Sequence, residues 1–146
     1  MPFRFNLDAV LRFRENAERA AEAALYGVMQ AIAKVELDLR QLEVERARLR
    51  DEREQELART LRAYHLAEIA EWERELGRVA DKLGSEQQQL EIQRLEQLAI
   101  YQKAHQDREV LSGLREQRLH AYDLDQRRQE QRILDELFLA RWNHPD

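Results

Sequence analysis

VMQAIAKVELDLRQLEVERARL, residues 28–49, decides the fold. Within it Val28, Ile32, Val35, Leu39, Leu42 and Leu49 recur at steps of three or four, with one polar interruption at Arg46. Polar and charged residues fill most positions between, so the stripe is narrow: a coiled-coil seam rather than the broad face of a helix on a globular core. Followed toward the N-terminus it takes in Val10, Phe13, Ala17, Ala20 and Ala24. The steps from Ala20 to Ile32 are all four, which predicts a local flattening or reversal of the supercoil.

The rest of the chain allows long helices and little else. Its 146 residues give room for one domain, and the two prolines, Pro2 and Pro145, leave no helix breaker of that kind between Phe3 and His144. Charged residues make up 36% and the large apolar ones come singly, which excludes a broad core. Their regular recurrence and a net charge of only −5 argue against disorder. There is no cysteine for a disulfide or thiolate metal site. The opening MPFRFNLDAV lacks the apolar run of a signal peptide and no stretch is apolar enough to span a bilayer, so a soluble, cytoplasmic protein is expected. The 24 Lys and Arg are interleaved with 29 Asp and Glu, which excludes nucleic acid as a partner.

Asn6 is placed to cap the first helix, with Phe5 and Val10 as a hydrophobic staple. The expected organisation is a single domain, 1–146: helix 1 over about 7–60, a turn at about 61–66, and helix 2 over about 67–142. A competing break is Gly84-Ser85, where Gly ends a helix and Ser85 with Gln88 forms a capping box. Pairing favours the earlier turn: folding at about residue 64 makes residue i face roughly 128 − i, sets Leu39 near Leu90, and puts Ala17, Ala20 and Ala24 opposite the bulkier 104–111. The first stripe of helix 2 is Ile69, Trp72, Leu76, Val79, Leu83 and Leu90. The fold class is therefore all-α, two long helices in an antiparallel coiled-coil hairpin, with the C-terminal helix overhanging.

Chemistry finds no footing. None of His65, His105, His120 and His144 has Glu three residues before it, and no His-Glu-x-x-His occurs. Carboxylate pairs such as Glu43 with Glu45 need a pocket to shift their pKa values, and a two-helix hairpin has none. The glycines at 27, 77, 84 and 113 build no phosphate loop. No catalytic, cofactor-binding or metal residue is assigned, and the chain is expected not to be an enzyme.

Three features exceed what packing demands. Phe3, Phe5 and Phe13 crowd the N-terminus, either as staple and seam or as a partner-binding patch. Trp72, Leu76, Val79 and Leu83 form a stripe near the turn, suited to docking as well as to closing the tip. Ile133, Leu134, Leu137, Phe138 and Trp142 form an amphipathic face without an intramolecular partner, suited to a groove or a ring.

With Phe3-Arg4-Phe5, Leu7, Val10, Leu11, Arg14 and Glu18 at the start, Trp72, Leu76, Val79 and Leu83 near the tip, and Arg127, Arg128, Glu130, Gln131, Leu134, Asp135 and Glu136 near the end, the chain resembles the FliJ family of flagellar export proteins. The resemblance implies a non-enzymatic stalk of the bacterial flagellar protein export apparatus, inserted in and activating a hexameric export ATPase (FliI-like), linked to an export gate protein (FlhA-like) and to export chaperones. It implies that the ring contacts Phe3, Phe5, Leu7, Val10, Leu11, Arg14, Arg127, Arg128, Glu130, Gln131, Leu134, Asp135 and Glu136, and that the gate contacts Trp72, Leu76, Val79 and Leu83. The location implied is the cytoplasmic side of the inner membrane at the flagellar base, without direct membrane insertion. The alternatives are a generic coiled-coil scaffold and the stalk of a virulence-type secretion system.

Overall fold

The computed structural model describes residues 2–59 and 63–143. They form two antiparallel α-helices in contact, α1 (Asp8–Arg59) and α2 (Ala63–Asn143), and no strand occurs among the described residues. By its contacts the chain divides into two compact units: Met1–Ala20 with Gln102–Asp146, and Ala21–Tyr101. Each contains a stretch of both helices.

α1 begins without the expected cap. The Leu7 carbonyl accepts the first intrahelical bond from the Leu11 amide (2.8 Å), and the Asp8 amide donates to the Phe5 carbonyl (3.1 Å). The Asn6 side chain is engaged elsewhere, its Oδ1 accepting from the Arg118 guanidinium. Asp8 supplies the negative charge that suits a helix N-terminus. Of the two residues expected to form a staple, Phe5 is buried and Val10 is 41% exposed.

The start of α2 also differs. Ala63, Tyr64, His65 and Leu66 belong to α2, which starts some residues before the expected 67; residues 60–62 lie outside the described residues. Leu66 and Ile69, three apart on one face, are both covered, and that packing favours extending the helix back toward Ala63. The alternative break at Gly84-Ser85 does not occur. α2 runs through it, Gly84 has no positive φ, and a Cβ there would meet nothing within 4 Å.

In the unit Ala21–Tyr101, the covered positions of α1 are Ala21, Leu25, Val28, Ile32, Val35, Leu39, Leu42, Arg46 and Leu49, an unbroken alternation of four and three. Those of α2 are Ile69, Glu73, Leu76, Ala80, Leu83, Gln87, Leu90, Arg94, Gln97 and Tyr101, with the same spacing. In the other unit the heptads continue as Leu7, Leu11, Arg14 and Glu18 against Ala104, Arg108, Leu111 and Arg115. The expected run of four-residue steps, and the change of supercoil drawn from it, disappears. From Val28 to Leu49 the seam coincides with the expected stripe, but before Val28 it lies one residue C-terminal to it: Leu11, at 7% exposed, replaces Val10 at 41%, and Ala21 replaces Ala20. In α2 the same shift puts Glu73 and Ala80 in the seam and leaves Trp72 and Val79 outside it. The cause is legible. The true seam carries Arg14, Glu18 and Glu73, so a count of apolar residues slides to the neighbouring Phe13, Ala17 and Trp72.

Pairing is displaced as well. The rule 128 − i would set Glu18 against 110 and Arg53 against 75; Glu18 instead meets Arg108 and His105, and Arg53 meets Glu73 at 3.2 Å.

Two substitutions test this register. Leu11→Ala should cost about 2 kcal/mol and Val10→Ala less than about 0.5, read from melting of the 222 nm circular dichroism signal. Equal costs would restore the other stripe. Gly84→Ala should stabilise by about 0.5–1 kcal/mol, because the position is helical and has room; a loss would indicate a break there.

Candidate protein-docking surfaces

In the unit Met1–Ala20 with Gln102–Asp146, the N-terminal segment is fastened to α2 by cations lying on rings. Arg115 sits over the Phe3 ring and Arg118 over the Phe5 ring, each 5.5 Å from the centroid, and Phe3 meets Tyr122 at 5.6 Å, tilted by 53°. Arg115 also pairs with Asp8 at 3.7 Å. Such contacts join a guanidinium charge to an aromatic face while the arginine stems cover apolar area. The crowded phenylalanines thus have an intramolecular role. Phe5 is buried, Phe3 is half-buried, and only Phe13 stands outside the seam at 66% exposed.

One turn further along α1, charge enters the seam. Glu18 accepts from Arg108 Nε (2.6 Å) and lies 3.2 Å from His105 Nδ1; His105 Nε2 lies 3.1 Å from Glu109, and Arg14 pairs with Asp107 at 3.2 Å. The Glu18 side chain is only 16% exposed. The hydrogen bond from Arg108 first, then that from His105, holds the Glu18 carboxyl below its ordinary 4.5, overcoming the burial that would raise it. A carboxyl more acidic folded than unfolded contributes stability that is fully present well above 4.5 and is lost as pH falls through the folded value.

Beyond Tyr122 the seam positions of α2 turn polar (Asp125, Gln129, Arg132, Glu136), and residues 127–143 are exposed without exception. Here lie Arg127, Arg128, Glu130, Gln131, Leu134, Asp135 and Glu136; Gln131 donates to Asp135 at 3.0 Å. With them Ile133, Leu137, Phe138, Leu139 and Trp142 also face outward. Of the N-terminal residues expected to meet a partner, only Val10 is freely exposed: Phe5 and Leu11 are buried, and Phe3, Leu7 and Arg14 are half-buried.

In the unit Ala21–Tyr101, Trp72 (62% exposed) and Val79 face outward while Leu76 and Leu83 are half-buried in the seam, so the predicted stripe is two residues of surface and two of core. Beside Trp72 lies a groove of about 250 Å³ lined by Leu49, Ile69 and Leu76 and rimmed by Glu45, Arg48, Glu52, His65 and Glu68. His65 is surrounded by Glu52 (3.6 Å), Glu68 (3.8 Å) and Glu56 (4.0 Å). No group of three or more acidic or histidine side chains among the described residues is placed to hold a metal ion. Sequence reasoning missed the groove because its lining comes from both helices; the signal available was Trp72 adjoining, rather than occupying, a heptad position.

Glu18→Gln should melt at a lower temperature than wild type at pH 7, with the gap narrowing as pH falls below 4.5 and the wild-type carboxylate is protonated. A gap constant with pH would show that Glu18 does not contribute through its charge.

No helix of the described residues is long and apolar enough to cross a membrane. Among known proteins, the family described as flagellar FliJ protein matches residues 3–146. Neither the curated proteins nor the solved structures provide a match. With the match covering essentially its whole length, the chain belongs to the FliJ family and is a component of the bacterial flagellar protein export apparatus.

Proposed function

We propose that the chain is the central stalk and adaptor of the export apparatus: it performs no chemistry, inserts its chain termini into the hexameric export ATPase and activates it, and presents the Trp72 face to the export gate while helping to cycle export chaperones. It acts at the cytoplasmic side of the inner membrane at the flagellar base. One observation carries this reading. Ile133, Leu134, Leu137, Phe138, Leu139 and Trp142 are all exposed, and at about 100° per residue they spread over roughly two-thirds of the helix circumference. A single helix or groove covers one stripe of a partner helix; a surface this wide calls for a partner that surrounds it. A ring does so. The uncovered remainder, Gln129, Arg132 and Glu136, is the strip that continues the polar seam.

The N-terminal residues contribute to this end indirectly. Phe3, Phe5 and Leu11 anchor α1 to α2, while Val10 and the exposed 127–142 segment supply the contact surface. For the gate, Trp72 and Val79 are the exposed contact residues, with the half-buried Leu76 and Leu83 beside them.

Leu137→Asp with Phe138→Asp should abolish stimulation of the purified export ATPase while leaving the 222 nm signal intact, since neither side chain is packed. Undiminished stimulation would exclude ring insertion of this segment. Trp72→Ala should reduce secretion in cells with ATPase stimulation unchanged; loss of both together would count against separate surfaces.

A further inference from the structure

The groove beside Trp72 carries more than an apolar anchor. Its apolar lining is Leu49, Ile69, Leu76 and the exposed Trp72, and its ionisable lining is Glu45, Glu52 and Glu68 against the single cation Arg48, with His65 among them. The three carboxylates and Arg48 together give the lining a net charge of −2. Glu71 and Glu75 flank Trp72 on its outer side. The contacts already made here are exposed: Arg48 with Glu45 at 3.6 Å, His65 with Glu52 at 3.6 Å and with Glu68 at 3.8 Å, Arg74 with Glu71 at 3.0 Å and Arg78 with Glu75 at 2.8 Å. Pairs of that kind contribute little and yield readily to a competing cation. A tryptophan face beside several carboxylates is a favourable seat for a guanidinium or ammonium group, which gains from the ring quadrupole and from the charges around it.

Resting on the gate reading above, we propose that this groove receives a cationic segment of the gate, one presenting an apolar side chain to Leu49, Ile69 and Leu76 with lysine or arginine beside it, seated on Trp72 and paired with Glu45, Glu52 and Glu68. Apolar contact anchors the segment, and charge selects it. The alternative occupant, a purely apolar gate segment, needs Trp72 but not the carboxylates.

The test is titration calorimetry of the full chain with the purified cytoplasmic domain of the gate protein, for wild type, for Trp72→Ala, and for the triple variant Glu45→Gln, Glu52→Gln, Glu68→Gln, with 222 nm ellipticity as the folding control. The expected wild-type affinity falls at least about tenfold between 0.05 and 0.3 M salt. The triple variant binds at least about tenfold more weakly at low salt and with a flatter salt dependence, and Trp72→Ala binds weakest. A triple variant that binds as wild type, with Trp72→Ala defective, overturns the cationic segment and leaves the gate reading in place. If all three proteins bind alike, or none binds, both fail.

Discussion

Heptad packing fixes which face of each helix is covered, but it does not fix which heptad meets which. In this chain that second choice rests on charged side chains inside the seam. Apolar positions repeat every seven residues on both helices, so a slip of one heptad would still match apolar residues with one another over much of the contact. The charges are less forgiving. Moving Arg108 seven positions away in one direction would put Tyr101 opposite Glu18 and leave a largely covered carboxylate without its guanidinium. An uncompensated charge in such a place is costly, and a polar seam residue is a well-founded way to set register. Arg53 with Glu73 does the same in the unit Ala21–Tyr101.

The same charges explain how thin the core is. The buried apolar residues are Phe5, Leu11, Ala21, Val35, Leu42 and Ile69, and none of the described side chains is fully enclosed. Arg14, Glu18, Glu73, Gln87, Arg94 and Gln97 occupy seam positions that aliphatic side chains would make more stable. A hairpin so constituted trades stability for a defined register. It also leaves large apolar side chains outside, at Trp72 and Val79 on one stretch and at residues 133–142 on another, where a partner can cover them.

Function follows from that division between covered and uncovered surface. Within the N-terminal cluster, most side chains that look like a binding patch are consumed by the chain itself, because Arg115 and Arg118 reach across to the Phe3 and Phe5 rings. Among the described residues, 127–143 of α2 are exposed and the seam positions there are polar.

The sequence by itself determined the helices, the antiparallel hairpin and the overhang, because a chain without internal proline and with apolar residues at three- and four-residue steps has few other ways to bury them. The family was legible too, from the residues at both ends and near the tip. The register was not. Apolar counting cannot see that Arg14, Glu18 and Glu73 belong to the seam, since only a partner of opposite charge across the interface makes such a position tolerable, and that partner is distant in sequence. The same reason hid the start of α2 at Ala63, the use of Asn6 by Arg118 instead of the helix end, and the acid-rimmed groove at Trp72. Each depends on which residue of one helix stands opposite which residue of the other, and only the tertiary structure decides that.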